Sequence, residues 1–183
     1  MAAAAPSGQN LANEVMKIAV ITLLLGASAF AQAAPAGPTA ACGPANVDFK
    51  VKLDQSQHMV TQPEPGKALV YFFSDAGTTA TLGYPTEKLA IDGAWAGANH
   101  GNSYFSVPVD PGEHHVCVTL QSSLVAPRVE LAHFTAEAAR AYYYRVRLVA
   151  SRSIELLELD PIDSDQGKYL IETFPLAVST RKK

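Results

Sequence analysis

The sequence predicts an all-β protein, an antiparallel sandwich of about seven to nine short strands with one short helix near its C-terminus. Three observations carry this. Apolar and polar residues alternate with a period of two in several short runs, the pattern of a strand with one buried face. Turn residues separate these runs at close intervals, Asp92-Gly93 and Asp110-Pro111-Gly112 most sharply. A single segment, Pro161 to Ile171, reads as a helix.

The elements follow in order. Residues 34–46 are rich in Ala, Pro and Gly and read as a linker, which places the folded domain at 47–174. Val47 to Leu53 sets Val47, Phe49, Val51 and Leu53 on one face and Asp48, Lys50 and Lys52 on the other. A polar loop with Pro63 and Pro65 precedes Lys67 to Phe73, which is apolar on both faces after its first residue and reads as a central strand. Glu87 to Ile91 and Ala94 to Ala98 flank the Asp92-Gly93 hairpin turn. Ser103 to Val109 aligns Phe105, Val107 and Val109. His114 to Leu120 places His114, Val116, Val118 and Leu120 opposite His115, Cys117 and Thr119. Val129 to Thr135 is a further strand, and Ala136 to Arg140 is either a helical turn or a hairpin loop. Tyr142 to Val149 turns Tyr142, Tyr144, Val146 and Leu148 inward and Tyr143, Arg145 and Arg147 outward. Ser153 to Leu159 follows, with Glu155 available to those arginines if the two strands are neighbours. Ser164 is the expected helix N-cap, Pro175 ends the helix, and 175–183 is expected to fray as a tail.

The N-terminus reads as a secretory signal. Lys17 precedes an apolar stretch of about 13 residues, Ile18 to Phe30, which fits a signal-peptide core and is too short to span a membrane as a helix. Small residues then give two cleavage registers, before Gln32 or before Ala34. Met1 to Val15 carries Glu14 and no cation, so translation from Met16 suits the signal better; a long n-region is the alternative. Removing 1–33 deletes Glu14 and Lys17, so the exported chain keeps the net charge of −3. That balance gives no reason to bind nucleic acid, because Arg181-Lys182-Lys183 is the only basic run.

Cys42 and Cys117 are the only cysteines, and both fall after the signal. In an exported chain such a pair usually forms a disulfide. Lipidation of Cys42 and two free thiols are the alternatives. Against lipidation, Thr39 stands where Leu is common, and about a dozen residues separate Cys42 from the apolar core. Because Cys117 faces away from the valines of its strand, the bond is expected to tie the N-terminal segment across the outer side or edge of that strand.

Several motifs recur in a fixed order: Gly66-Lys67-Ala68-Leu69-Val70-Tyr71, then Ile91-Asp92-Gly93 with Gly97, then Ser103-Tyr104-Phe105 leading to Pro111-Gly112-Glu113-His114, then Tyr142-Tyr143-Tyr144-Arg145-Val146. In this order the chain resembles the bacterial envelope family known as domain of unknown function 2846, over about residues 64 to 160. The Asp-Gly to Pro-Gly-x-His part is also similar to the small surface-layer β-domains called PEGA. The resemblance implies an exported sandwich of the immunoglobulin or PEGA kind and no activity, since none is assigned to the family. Two departures stand out. Family members often carry Arg after the first strand, where this chain has Ser74-Asp75, and many are lipoproteins, which the surroundings of Cys42 do not favour.

Chemistry is sparse. His58, His100, His114, His115 and His133 show no metal-binding spacing, and neighbours His114 and His115 point to opposite faces of one strand, so no metal or other cofactor is expected. No Gly-x-Ser-x-Gly elbow is present, and Glu155 and Glu158 face opposite ways on a strand. The candidate ligand site is the stretch 95–104, where Trp95, Asn99, His100, Asn102 and Tyr104 surround glycines; aromatic faces with amide donors suit sugars. The competing reading has Trp95 capping the core and Asn-His-Gly making a turn. The expectation is a non-enzymatic exported module, periplasmic or secreted, that binds an envelope component, protein or glycan, without a membrane span in its mature form. A carbohydrate- or peptidoglycan-contacting domain using the Trp95–Tyr104 stretch is the alternative, and a small hydrolase is a more remote one.

Overall fold

The computed structural model describes residues 42–58, 60–75, 85–121, 128–151 and 154–183, so the stretch read as a signal and the expected linker residues 34–41 lie outside the described residues. Ten strands and one helix follow in order: β1 Phe49–Asp54, β2 Ala68–Asp75, β3 Thr86–Ile91, β4 Ala94–His100, β5 Ser103–Val109, β6 Gly112–Gln121, β7 Val129–Ala136, β8 Ala141–Ser151, β9 Ile154–Ile162, α1 Ser164–Thr173 and β10 Leu176–Arg181. They form a six-stranded sheet, β1-β10-β5-β2-β8-β9, and a four-stranded sheet, β4-β3-β6-β7. The all-β sandwich expected from the alternating runs is what forms.

The pairing is mostly antiparallel. β2 and β8 run parallel, and β10 touches β5 in parallel at Leu176–Tyr104. β2 is central, as its two apolar faces require: it lies between β5 and β8. Asp92 and Gly93 both adopt positive φ, which gives the β3–β4 hairpin the turn twist that suits its strands. Asp110-Pro111 and residues 137–140 instead carry the chain from one sheet to the other, so the latter are not a hairpin loop.

Three apolar layers result. Val70, Phe72, Leu89, Phe105, Val118 and Val146 fill the space between the sheets. Tyr71, Phe73, Tyr104 and Tyr143 form the outer face of the large sheet, beneath Leu170 and Ile171 of α1. Gly167 lets the helix settle there, because a Cβ at that position would overlap the Tyr143 ring. The third layer lies outside the small sheet: Ala90, Trp95, Ala98 and Cys117, covered by Phe49 with Cys42, Val47 and Val51.

Four expectations change. The segment 175–183 is not a frayed tail. Residues Leu176–Arg181 pair with β1 along its whole length, because without them β1 would have no neighbour. The helix cap is Asp163, not Ser164: β9 runs on to Ile162, and the Asp163 carboxylate accepts from the Asp165 and Gln166 amides. Residues 42–46 are not free linker, since Cys42 is bonded and the Pro44 carbonyl accepts from Trp95 Nε1 at 2.8 Å. Arg147 pairs with Glu158 at 2.9 Å and Asp160 at 2.8 Å, whereas register places Glu155 opposite Ala150.

Candidate functional site

The stretch 95–104 is not a loop but two strands joined by Gly101 and Asn102, and it does not gather its polar and aromatic groups into one platform. Trp95 is 7% exposed and faces the N-terminal segment, where a Cβ on Gly43 would overlap its indole. Asn99 is buried and donates from Nδ2 to the Phe72 carbonyl at 3.1 Å. His100 sits 3.3 Å from the Thr86 hydroxyl, and Asn102 is exposed on the turn. Tyr104 belongs to the layer under α1 and donates to the Gln57 carbonyl. Trp95 lies on the outer face of the small sheet and Tyr104 on the outer face of the large one, so the proposed sugar platform is not assembled. Its core-capping alternative describes Trp95 better.

Trp95 instead lines a groove of about 320 Å³ beside the Cys42–Cys117 disulfide, shared with Asp48, Lys88, Thr119, Gln121 and Val129. That volume falls at the lower end of small-ligand sites. Residues 42–48 form its rim and cross the outer face of the small sheet. Lys88 is held tightly, with a side chain only 7% exposed. Its ammonium donates to the Val47 carbonyl at 2.8 Å, lies 4.8 Å from the Trp95 ring centroid, and is 3.7 Å from Asp48. The Gln121 amide pairs with both backbone groups of Phe49, at 2.6 and 3.0 Å, and so fixes the start of β1. Thr119 is 7% exposed, and its hydroxyl has no hydrogen-bond partner among the described residues. A buried hydroxyl in that state is costly unless something else bonds it. Sequence reading missed Lys88, Thr119 and Gln121 because each lies on the polar face of its strand. The strap that covers them comes from residues far away in sequence, and the expected disulfide was the one available hint of it.

A second polar group sits between the sheets at one end. Ser74, Glu87, Asn99 and Ser103 are each 0% exposed, and they stand in register as Ser74–Ser103 and Glu87–Asn99. Asn99 and Ser103 bond each other and nearby carbonyls. Neither Glu87 oxygen nor the Ser74 hydroxyl has a well-formed partner among the described residues. Burial pushes the Glu87 carboxyl up to about 8; nearby Ser74 offsets part of the rise and the Asp75 charge adds to it.

At the opposite end His114 clamps two turns. Its Nδ1 lies 2.6 Å from Asp92 Oδ2, and its Nε2 lies 2.7 Å from the Asp110 carbonyl. Partial burial pulls the imidazole down, but the Asp110 carbonyl and the Asp92 carboxylate outweigh it, and the net shift is upward. A histidine raised on folding stabilises fully below its unfolded value of about 6.5, and the gain fades as pH rises through the folded value. Asp92→Asn keeps an acceptor for the His115 amide and tolerates the positive φ, yet removes the charge. Urea unfolding at pH 5.5 should show Asp92→Asn about 1 kcal/mol less stable than wild type, with the gap closing by pH 9. An equal gap at both pH values would rule out the charged clamp.

The chain matches no protein-family model, no curated protein and no solved structure. Among the described residues no helix is long and apolar enough to cross a membrane.

Proposed function

We propose that the protein is an exported binding module that takes a small carboxylate-bearing group into the groove beside its disulfide. The observation that carries the reading is the buried Thr119 hydroxyl, without a hydrogen-bond partner among the described residues, in the same groove as the ammonium of Lys88. Lys88 has three N–H donors, and the contact with Asp48 at 3.7 Å is loose enough for an incoming carboxylate to compete. Val129, opposite Thr119 on the same face, offers an apolar contact for the rest of the ligand. Lys88 and Gln121 also hold the strap and β1, which suits fixed binding groups better than reacting ones. Export is supported by the signal-like segment, by the disulfide between Cys42 and Cys117, and by a motif order that resembles an envelope family.

Trp95 is the only tryptophan, so its emission reports on the groove directly. Titration with N-acetylated amino acids and uronic acids should change that emission, and their uncharged amides should not. Lys88→Met should abolish the response, and Thr119→Val should weaken binding about 3–10-fold, the worth of one hydrogen bond. If neither the acids nor the amides alter emission or melting temperature at millimolar concentration, the reading fails.

A further inference from the structure

We propose that His115 and His133 form a surface site for a divalent transition metal of the copper or zinc kind. β6 and β7 pair antiparallel, and His115 stands directly opposite His133. The main chain of His115 is engaged on its other side: its N–H donates to Asp92 Oδ1 at 2.8 Å, and its carbonyl accepts from the Asp92 amide at 2.9 Å. Successive polar groups of one strand residue point the same way, so neither faces β7. His115 and His133 are therefore a non-hydrogen-bonded pair. In such pairs the Cα atoms approach to about 4.5 Å, and the side chains, which share a face, come closer than at the alternate positions. Two imidazoles leaving the sheet at that spacing can reach one ion with bonds of about 2.0–2.1 Å.

The surroundings suit a ligand role. The His115 side chain is 62% exposed, and His133 is exposed with no hydrogen bond or ion pair among the described residues. The Asp92 carboxylate lies 4.0 Å from His115 Nδ1, beyond hydrogen-bond reach, and adds negative charge beside the imidazole, whose Nε2 is available to an ion. Glu113, two residues before His115 and diagonal to His133, adds negative charge to the same face. Among the described residues no three His, Cys, Asp or Glu side chains converge. The protein thus supplies two nitrogens and water completes the shell, which makes the site open and exchangeable. Imidazole pairs favour copper, nickel and zinc, with Cu(II) bound most tightly.

Cu(II) titrated into the untagged, oxidised protein should bind one ion per chain. Its electron paramagnetic resonance spectrum should show coupling to two imidazole nitrogens. His115→Asn and His133→Asn should each weaken binding tenfold or more, and the double variant should lose it. Absence of stoichiometric binding to wild type, or unchanged affinity in the double variant, would overturn the proposal. Should a variant fold poorly, the wild type decides: selective Cu(II) broadening of the His115 and His133 ring signals supports the site, and broadening centred elsewhere sinks it.

Discussion

Replacing Glu87 by glutamine should raise the stability of the protein, and the gain should grow with pH. The carboxyl is fully buried between the sheets, and neither of its oxygens is well bonded among the described residues. Burial raises its folded value to about 8 from an ordinary 4.5. A carboxyl raised on folding contributes its full stability below the unfolded value, and that contribution drains away as pH climbs through the folded one. Stability should therefore fall between pH 4.5 and 8, at about 1.4 kcal/mol per unit from this group alone. Glutamine has nearly the shape of the protonated acid and cannot ionise. Its advantage should be close to zero at pH 4.5 and about 3 kcal/mol at pH 7. Urea unfolding of both proteins across that range decides the matter: parallel pH profiles would show that Glu87 does not titrate as its burial demands.

Removing both cysteines should have an opposite effect of similar size. The bond joins residues 75 apart in sequence, and opening a loop of that length costs about 4 kcal/mol in the chain-entropy account. Against a typical total of about 5–15 kcal/mol this is a large share. The variant Cys42→Ala/Cys117→Ala should also show a local change. With the bond gone, residues 42–47 keep the Pro44 and Val47 carbonyl contacts to Trp95 and Lys88, both formed at the edge of the groove. Trp95 emission should shift to the red as the strap loosens, before the main unfolding transition. A loss below about 1 kcal/mol with unchanged emission would mean that the packing of Phe49 and Val51 holds the strap without help from the bond.

Much of the fold was legible in the sequence because its signals are local. Asp92-Gly93 announces its own hairpin, and the run from Lys67 to Phe73 can be apolar on both faces only if it is covered on both. The alternation around Cys117 even told which side the disulfide would take. What escaped depends on distant partners. Leu176 to Arg181 has no clean alternation, since Val178 is exposed while Ala177 is buried, and only the need of β1 for a neighbour makes it a strand. Trp95 looked available because nothing in its own neighbourhood covers it; the cover arrives from Gly43 and Pro44. Glu87 sits in an otherwise ordinary strand pattern, and its burial appears only when the two sheets close over it. His115 and His133 are eighteen positions apart, and register alone sets them side by side.

The placement of β10 has a consequence for how the molecule is made. Whether it leaves a ribosome or a membrane pore, a chain emerges N-terminus first. The first strand among the described residues, Phe49–Asp54, has its full-length neighbour at Leu176–Arg181, after every other described strand. Until that segment has emerged, the large sheet lacks its β1–β10 pair. The same ordering denies the outer layer around Trp95 its cover from Phe49 and Val51. The sheet edge and the Trp95 layer therefore close together, and late, once Leu176–Arg181 is available to pair with β1.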